Sequence, residues 1–338
     1  MKLFNLTLLL TLLTCTICYS QKMAAPYLDH LTRECVLSYN SNTGNSVLYY
    51  HKPSEKKFLV SSYQLPHGPV AHNEEWHCAP YLDHLGRECM LAWDSHTGVS
   101  KIFYHKPSEK RFLVSSYQLP IAPLGQADYR YAPYLDHLNR ECVLVWDVET
   151  GKSKIYYHKP SENKFLESSY QMPEAPLGDG SYGFAPYLDH LNRECMLVWN
   201  SENGNSKIYY HKPSDKKFLE SSYQLPQSLK DSLGANIGAV PYLDHLNREC
   251  VLAYSTSTGK SKIYYHKPSD KKFLISSYQL PEAPLGSVSG YYMAPYLDHL
   301  GRECVLVWEE KTGKSKLYYH KPSDKKFLES SYQLPVIE

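Results

Sequence analysis

Between residues 133 and 173 the chain falls into short blocks whose hydrophobic pattern has the period of strands. Glu141 to Trp146 is an unbroken apolar run behind one acid, which predicts a short strand buried on both faces. Glu149-Thr150-Gly151 follows as a turn, with glycine able to take positive φ. Ser153 to Lys159 is rich in β-branched and aromatic residues, as strands are, and Pro160-Ser161-Glu162-Asn163 closes a second turn. Phe165 to Met172 alternates, with Leu166, Ser168, Tyr170 and Met172 on one face and Glu167, Ser169 and Gln171 on the other. Pro133 to Leu138 supplies a fourth, shorter strand beside the Glu141 run. Nowhere is a helical period sustained.

The block recurs. Pro-Tyr-Leu-Asp-His-Leu begins at Pro26, Pro80, Pro133, Pro186, Pro241 and Pro295, at intervals of 54, 53, 53, 55 and 54 residues. Each copy continues through Arg-Glu-Cys, an apolar run, a Tyr-Tyr-His-Lys-Pro-Ser segment (Phe103 replaces the first Tyr once) and Ser-Ser-Tyr-Gln-Leu/Met-Pro. Four strands per copy and six copies predict an all-β, six-bladed β-propeller built from repeats of about 53 residues. A copy this small, without a disulfide or metal of its own, buries too little to fold alone. The variable segments, such as His67 to Cys78 and Gln227 to Ala239, are expected to cross from blade to blade.

Composition narrows the functional classes. With 36 Lys+Arg against 35 Asp+Glu, the net charge of +1 gives no basic face for nucleic acid. The 31 tyrosines, 9 phenylalanines and 5 tryptophans supply far more buriable surface than a disordered chain carries. Met1 to Ser20 reads as a secretory signal peptide, with Lys2 ahead of an apolar run from Leu3 to Leu13 that is too short to span a bilayer. The expected product is therefore a secreted, extracellular protein, residues 21–338 forming one propeller domain, with no membrane insertion. Asn5 heads the only Asn-X-Ser/Thr sequon and would leave with the peptide.

Six cysteines occupy one repeat position: Cys35, Cys89, Cys142, Cys195, Cys250 and Cys304. In a closed ring equivalent atoms are too far apart to be bridged, so these read as buried strand thiols. Cys78 is the odd one, free to pair with Cys35, Cys89 or a disulfide-linked partner chain.

Among the repeated polar residues, the Asp-His pair (Asp29/His30, Asp136/His137 and equivalents) offers two of the three or four donors a zinc site takes. Its expected role is a turn at the start of the blade, and no metal or other cofactor is expected. Arg140-Glu141 and their counterparts are expected to pair with adjacent blades. The chain has no nucleophile elbow, His-Glu-X-X-His or phosphate loop, so no enzyme is expected. Tyrosine rings beside hydrogen-bonding side chains suit sugar recognition, a ring packing on the C–H face while polar groups read hydroxyls.

Lys154-Ile155-Tyr156-Tyr157-His158, followed after a turn by Phe165-Leu166-Glu167, resembles the blade pattern of the fungal and bacterial fucose-binding propeller lectins. The resemblance implies six blades with sugar pockets between them, an arginine and a glutamate of each blade holding sugar hydroxyls. Lys101, Lys154, Lys207, Lys262 and Lys316 match that arginine, and Glu167, Glu220 and Glu329 the glutamate. Val47 stands at the first position in the first copy, Val60, Val114 and Ile275 replace the acid in three copies, and the family's Gly-Trp beyond the Glu is absent. At most three sites of this type are implied. With the second tyrosine of the segment, the candidate ligand-binding set is Lys154, Tyr157, Glu167, Lys207, Tyr210, Glu220, Lys316, Tyr319 and Glu329.

The expected function is thus a multivalent, lectin-like protein whose partners are glycans or glycoproteins. The alternative is a structural matrix, shell or adhesive protein, because abundant Tyr and Lys suit cross-linking.

Overall fold

The computed structural model describes residues 22–70, 75–178, 180–226, 229–286 and 289–336. The expected signal peptide lies outside them. Among the described residues the chain forms six four-stranded antiparallel sheets, each drawn from one repeat with its strands in sequence order. The fold is an all-β, six-bladed propeller.

In the third blade the strands are Tyr129–Leu135, Glu141–Asp147, Ser153–Lys159 and Lys164–Glu167. The second is buried at every position, as its unbroken apolar run requires. A single 3₁₀ turn, Pro160–Glu162, joins the third and fourth, and Asn163 leaves it in the left-handed conformation at φ 49°.

Two elements differ from the sequence reading. The first strand is not short: it spans seven residues and begins at Tyr129, in the variable segment. First strands of neighbouring blades contact one another, which puts them innermost. The fourth strand stops at Glu167 instead of running to Met172. Beyond it the Gln171 side chain stands in for a strand, its Oε1 accepting from the Ile155 N–H at 2.7 Å while its Nε2 donates to the Ser168 carbonyl at 2.8 Å. A glutamine here satisfies backbone groups of the third strand that a longer fourth strand would have paired.

The core lies between blades rather than within them. One hydrophobic cluster joins Tyr134, Cys142, Leu144 and Ile155 of the third blade to Phe184, Met196, Tyr209 and Phe218 of the fourth. Another joins Cys304, Leu306 and Trp308 of the last blade to Val36, Tyr49 and Phe58 of the first. A backbone bond repeats at each junction: the N–H of Tyr182 donates to the carbonyl of Val148 at 2.7 Å, and at the closure Lys22 donates to Glu310 at 2.8 Å. The ring closes by the same contacts that join consecutive blades, without exchange of a strand between its ends.

The seven described cysteines are buried and unpaired, and burial pushes every one of their thiols well above its ordinary value. Cys78, 4% exposed, faces the core between the first two blades.

Candidate functional sites between the blades

Each Asp-His turn is built as expected in its aspartate and not in its histidine. Asp136 Oδ1 accepts from the backbone N–H groups of Leu138 and Arg140 at 2.9 and 2.8 Å. Arg140 stays in its own blade: its Nε donates to Asp136 Oδ2 at 2.6 Å, an Nη donates to the Tyr170 hydroxyl at 3.0 Å, and the guanidinium lies over the Tyr157 ring at 5.1 Å. The expectation that Arg and Glu both reach a neighbouring blade therefore holds for the glutamate only. Their side chains alternate across the strand, and the arginine is captured four residues back by the turn aspartate.

The glutamates that follow these arginines are almost wholly buried. Glu194, 1% exposed, accepts at Oε1 from the hydroxyl of Tyr134 in the preceding blade at 2.7 Å. Its Oε2 faces two imidazoles, with His137 Nδ1 of the preceding blade at 3.4 Å and His211 Nδ1 of its own at 3.5 Å. The Tyr170 hydroxyl lies 3.5 Å from the same oxygen, and its ring stacks on His211 at 4.0 Å between centroids. The cluster recurs around Glu88, Glu141, Glu249 and Glu303, and at the closure around Glu34, with His299 at 3.7 Å and His51 at 3.3 Å.

Burial raises the carboxyl groups of Glu88, Glu141, Glu194 and Glu303 above the usual range, and it lowers His105, His158 and His320. His211 falls to about 4, through burial first and the neighbouring His137 second. His105, His158, His211 and His320 are thus neutral at physiological pH, each with one ring nitrogen carrying a free lone pair. Several stand without a hydrogen bond: neither ring nitrogen of His51, His105, His158, His211 or His266 has a partner. A buried polar group left in that state costs about 1–3 kcal/mol. Sequence reasoning missed these clusters because two members come from one repeat and the third from the previous one. Six-fold identity of both His positions and of the Glu was the available signal.

The clusters line clefts between blades. One, of about 220 Å³, is bounded by His137, Glu194 and His211 together with Arg193, Tyr210 and Lys212. Its counterpart at the closure, of about 360 Å³, is bounded by His299, Glu34, His51, Arg33, Tyr50 and Lys52.

A second kind of cleft opens near the other end of the third strand. Lys207 lies four residues before His211, roughly 13 Å along the strand. Here the Lys and Glu members of the candidate set meet: Lys154 with Glu167 at 2.9 Å, Lys207 with Glu220 at 3.0 Å and Lys316 with Glu329 at 2.9 Å. Tyr157, Tyr210 and Tyr319 do not join them. They project from the opposite face of their strands, under Arg140, Arg193 and Arg302. The tyrosines that share the Lys–Glu face are Tyr156, Tyr209 and Tyr318, all buried.

Around Lys207 and Glu220 the cleft measures about 620 Å³, with Pro176, Leu177 and Leu225 as apolar wall and Asn205, Ser206 and Gln224 as polar lining. Pro176 and Leu177 belong to an Ala-Pro-Leu-Gly loop that recurs at Ala122–Gly125 and Ala283–Gly286, directly before the blades that carry Glu167 and Glu329. Each loop is set by an alanine in the left-handed region, at φ 46°, 41° and 42°. Its glycine carbonyl accepts from the hydroxyl of Tyr129, Tyr182 or Tyr291. The blades with Val60, Val114 or Ile275 in place of the acid lack the loop. Acid and loop occur together in three blades and are absent together from the other three.

No protein-family model and no curated protein matches the sequence. Solved structures share the fold at low identity. A luciferin-regenerating enzyme is 12% identical with a TM-score of 0.51, the alignment covering 85% of this chain and 84% of that one. Fructan 1-exohydrolase IIa from Cichorium intybus is 12% identical with a TM-score of 0.49, covering 81% of this chain, which spans 60% of that enzyme's length. Among the described residues no helix is long and apolar enough to cross a membrane.

Proposed function

We propose that the protein is a secreted, multivalent carbohydrate-binding protein without catalytic activity, and that its sugar sites are the three clefts formed by Lys154/Glu167, Lys207/Glu220 and Lys316/Glu329. The observation that carries this reading is the coincidence of the Lys–Glu pair with the Ala-Pro-Leu-Gly loop in the same three blades. An ammonium 37% exposed and a carboxylate 49% exposed, beside an apolar wall, offer donors and acceptors to hydroxyls and a surface to a C–H face. Three such clefts on one rigid ring would convert weak single-site binding into avidity for a repetitive glycan. The matrix or adhesive alternative has less support, because many tyrosines are buried and hydrogen-bonded, out of reach of oxidative cross-linking.

The test is a glycan array with a haemagglutination assay on the full mature protein, beside the variant E167V/E220V/E329V. Valine at these places is tolerated, since Val60 and Val114 stand at the equivalent exposed positions. Binding by the native protein that falls at least tenfold in the folded variant is expected. Silence of the native protein across animal and microbial glycans, or equal binding by the variant, would overturn the reading.

A further inference from the structure

The buried Glu–His clusters are built like ligand sets. At all six junctions one carboxylate oxygen lies 3.3–3.8 Å from two imidazole Nδ1 atoms. In the clusters around Glu34, Glu88, Glu141, Glu194 and Glu249 the three donor atoms lie within 4.8 Å of one another. Donors at opposite ends of one tetrahedral edge stand roughly 3.3–3.6 Å apart when each is about 2.0–2.2 Å from a central ion. Few of these approaches are hydrogen bonds: every one of these Nδ1 atoms except those of His30 and His137 is unpartnered.

The surroundings fit the same purpose. The tyrosine hydroxyl on Oε1 fixes the carboxylate so that Oε2 faces the imidazoles, as outer partners of metal-bound carboxylates do. The inner histidines are at most 7% exposed, while the outer ones keep about a fifth of their side chains accessible at the clefts, which gives an entry path.

We propose that each junction binds one divalent transition-metal ion of the zinc class through the two imidazole Nδ1 atoms and the glutamate Oε2, six ions to a ring. Two imidazoles and one carboxylate leave a fourth position for water. A single repeat holds an incomplete set, since Glu194 and His211 belong to one blade and His137 to the one before. Metal would therefore join neighbouring blades and complete the last junction together with the ring. The proposal rests on donor geometry at the far end of the third strand from the Lys–Glu clefts, and stands whatever those clefts bind.

The experiment uses the full mature protein, freed of metal with a chelator, loaded with Zn²⁺ or Co²⁺ and desalted. Metal is then counted by mass spectrometry, and the Co²⁺ form examined by visible absorption. About six ions per chain are expected, with the intense Co²⁺ bands of four-coordinate N/O ligation. H137N, which changes a partly exposed residue, should lose about one ion, and the variant carrying the same change at all six outer histidines should lose all of them. Fewer than about five ions on the native protein, or a folded H137N that binds as much as the native chain, overturns the proposal; this single-site count decides the matter even if the sixfold variant fails to fold.

Discussion

Tyr296 donates its hydroxyl to the buried carboxylate of Glu34, a residue 262 positions earlier in the chain. Tyr81–Glu141 and Tyr134–Glu194 form the same bond across consecutive blades, 60 residues apart in each case. The last junction is thus chemically an ordinary one, made without a covalent path. Y296F would leave Glu34 Oε1 buried with no donor, at a cost of about 1–3 kcal/mol. Y134F should cost about the same, within roughly 0.5 kcal/mol. Urea unfolding of the two variants checks this, and a Y296F protein as stable as the native one would show that the ring is not closed in solution.

The interblade placement of the core leads to a stronger statement about isolated repeats. Residues 129–178 alone would expose Tyr134, Cys142, Leu144 and Ile155, which pack on the next blade. At about 25 cal/mol per Å² of apolar surface, the loss of both neighbours leaves too little to offset chain entropy. Calorimetry of this fragment should show no cooperative transition, while the six-repeat chain melts cooperatively.

These relationships were only partly legible in the sequence. The period counted the blades, and the third strand was read with its observed ends, because Ser153 to Lys159 is bounded by turn residues on both sides. The first strand was truncated because Tyr129 to Ala132 varies between copies, while its hydrogen bonds need no particular side chain. The fourth was overextended because the alternation through Gln171 is real, although that side chain, not its backbone, meets the third strand. The Lys–Glu pairs could be anticipated from neighbouring strands of one hairpin. The Glu–His clusters could not, since their members meet only when separate repeats come together: His30 and Glu88 are 58 residues apart.

Gly151 shows how tightly linker and turn are matched. It sits at φ 68°, and a Cβ there would stand 2.7 Å from the Tyr182 ring of the next blade. G151A combines a strained backbone with a clash against an aromatic ring that cannot swing away, since Tyr182 is 3% exposed. A loss of about 2–4 kcal/mol is expected. The matching test of cause is G151A/Y182A: removing the ring relieves the clash, so the double variant should be more stable than the sum of the single losses predicts, by at least about 1 kcal/mol.

The thiols offer the last check, and it probes the whole ring at once. A cysteine reacts as its thiolate, and reagent must also reach the sulfur. Cys35, Cys89, Cys142, Cys195, Cys250 and Cys304 are fully buried in second strands, and their burial holds them protonated. Cys78 shares that condition despite its place in a first strand. Alkylation of the native protein at neutral pH should therefore leave all seven unmodified for hours, and brief exposure to denaturant should make all seven reactive together, because opening one junction removes the support of its neighbours. Rapid labelling of Cys35 and Cys78 alone, which share one core, would locate a junction between the first and second blades that opens independently, and would make Cys78 available to a second chain. Labelling confined to Cys304, which packs on Val36 and Phe58 of the first blade, would instead place the weak point at the closure, contrary to the equivalence of Tyr296–Glu34 with the other five bonds.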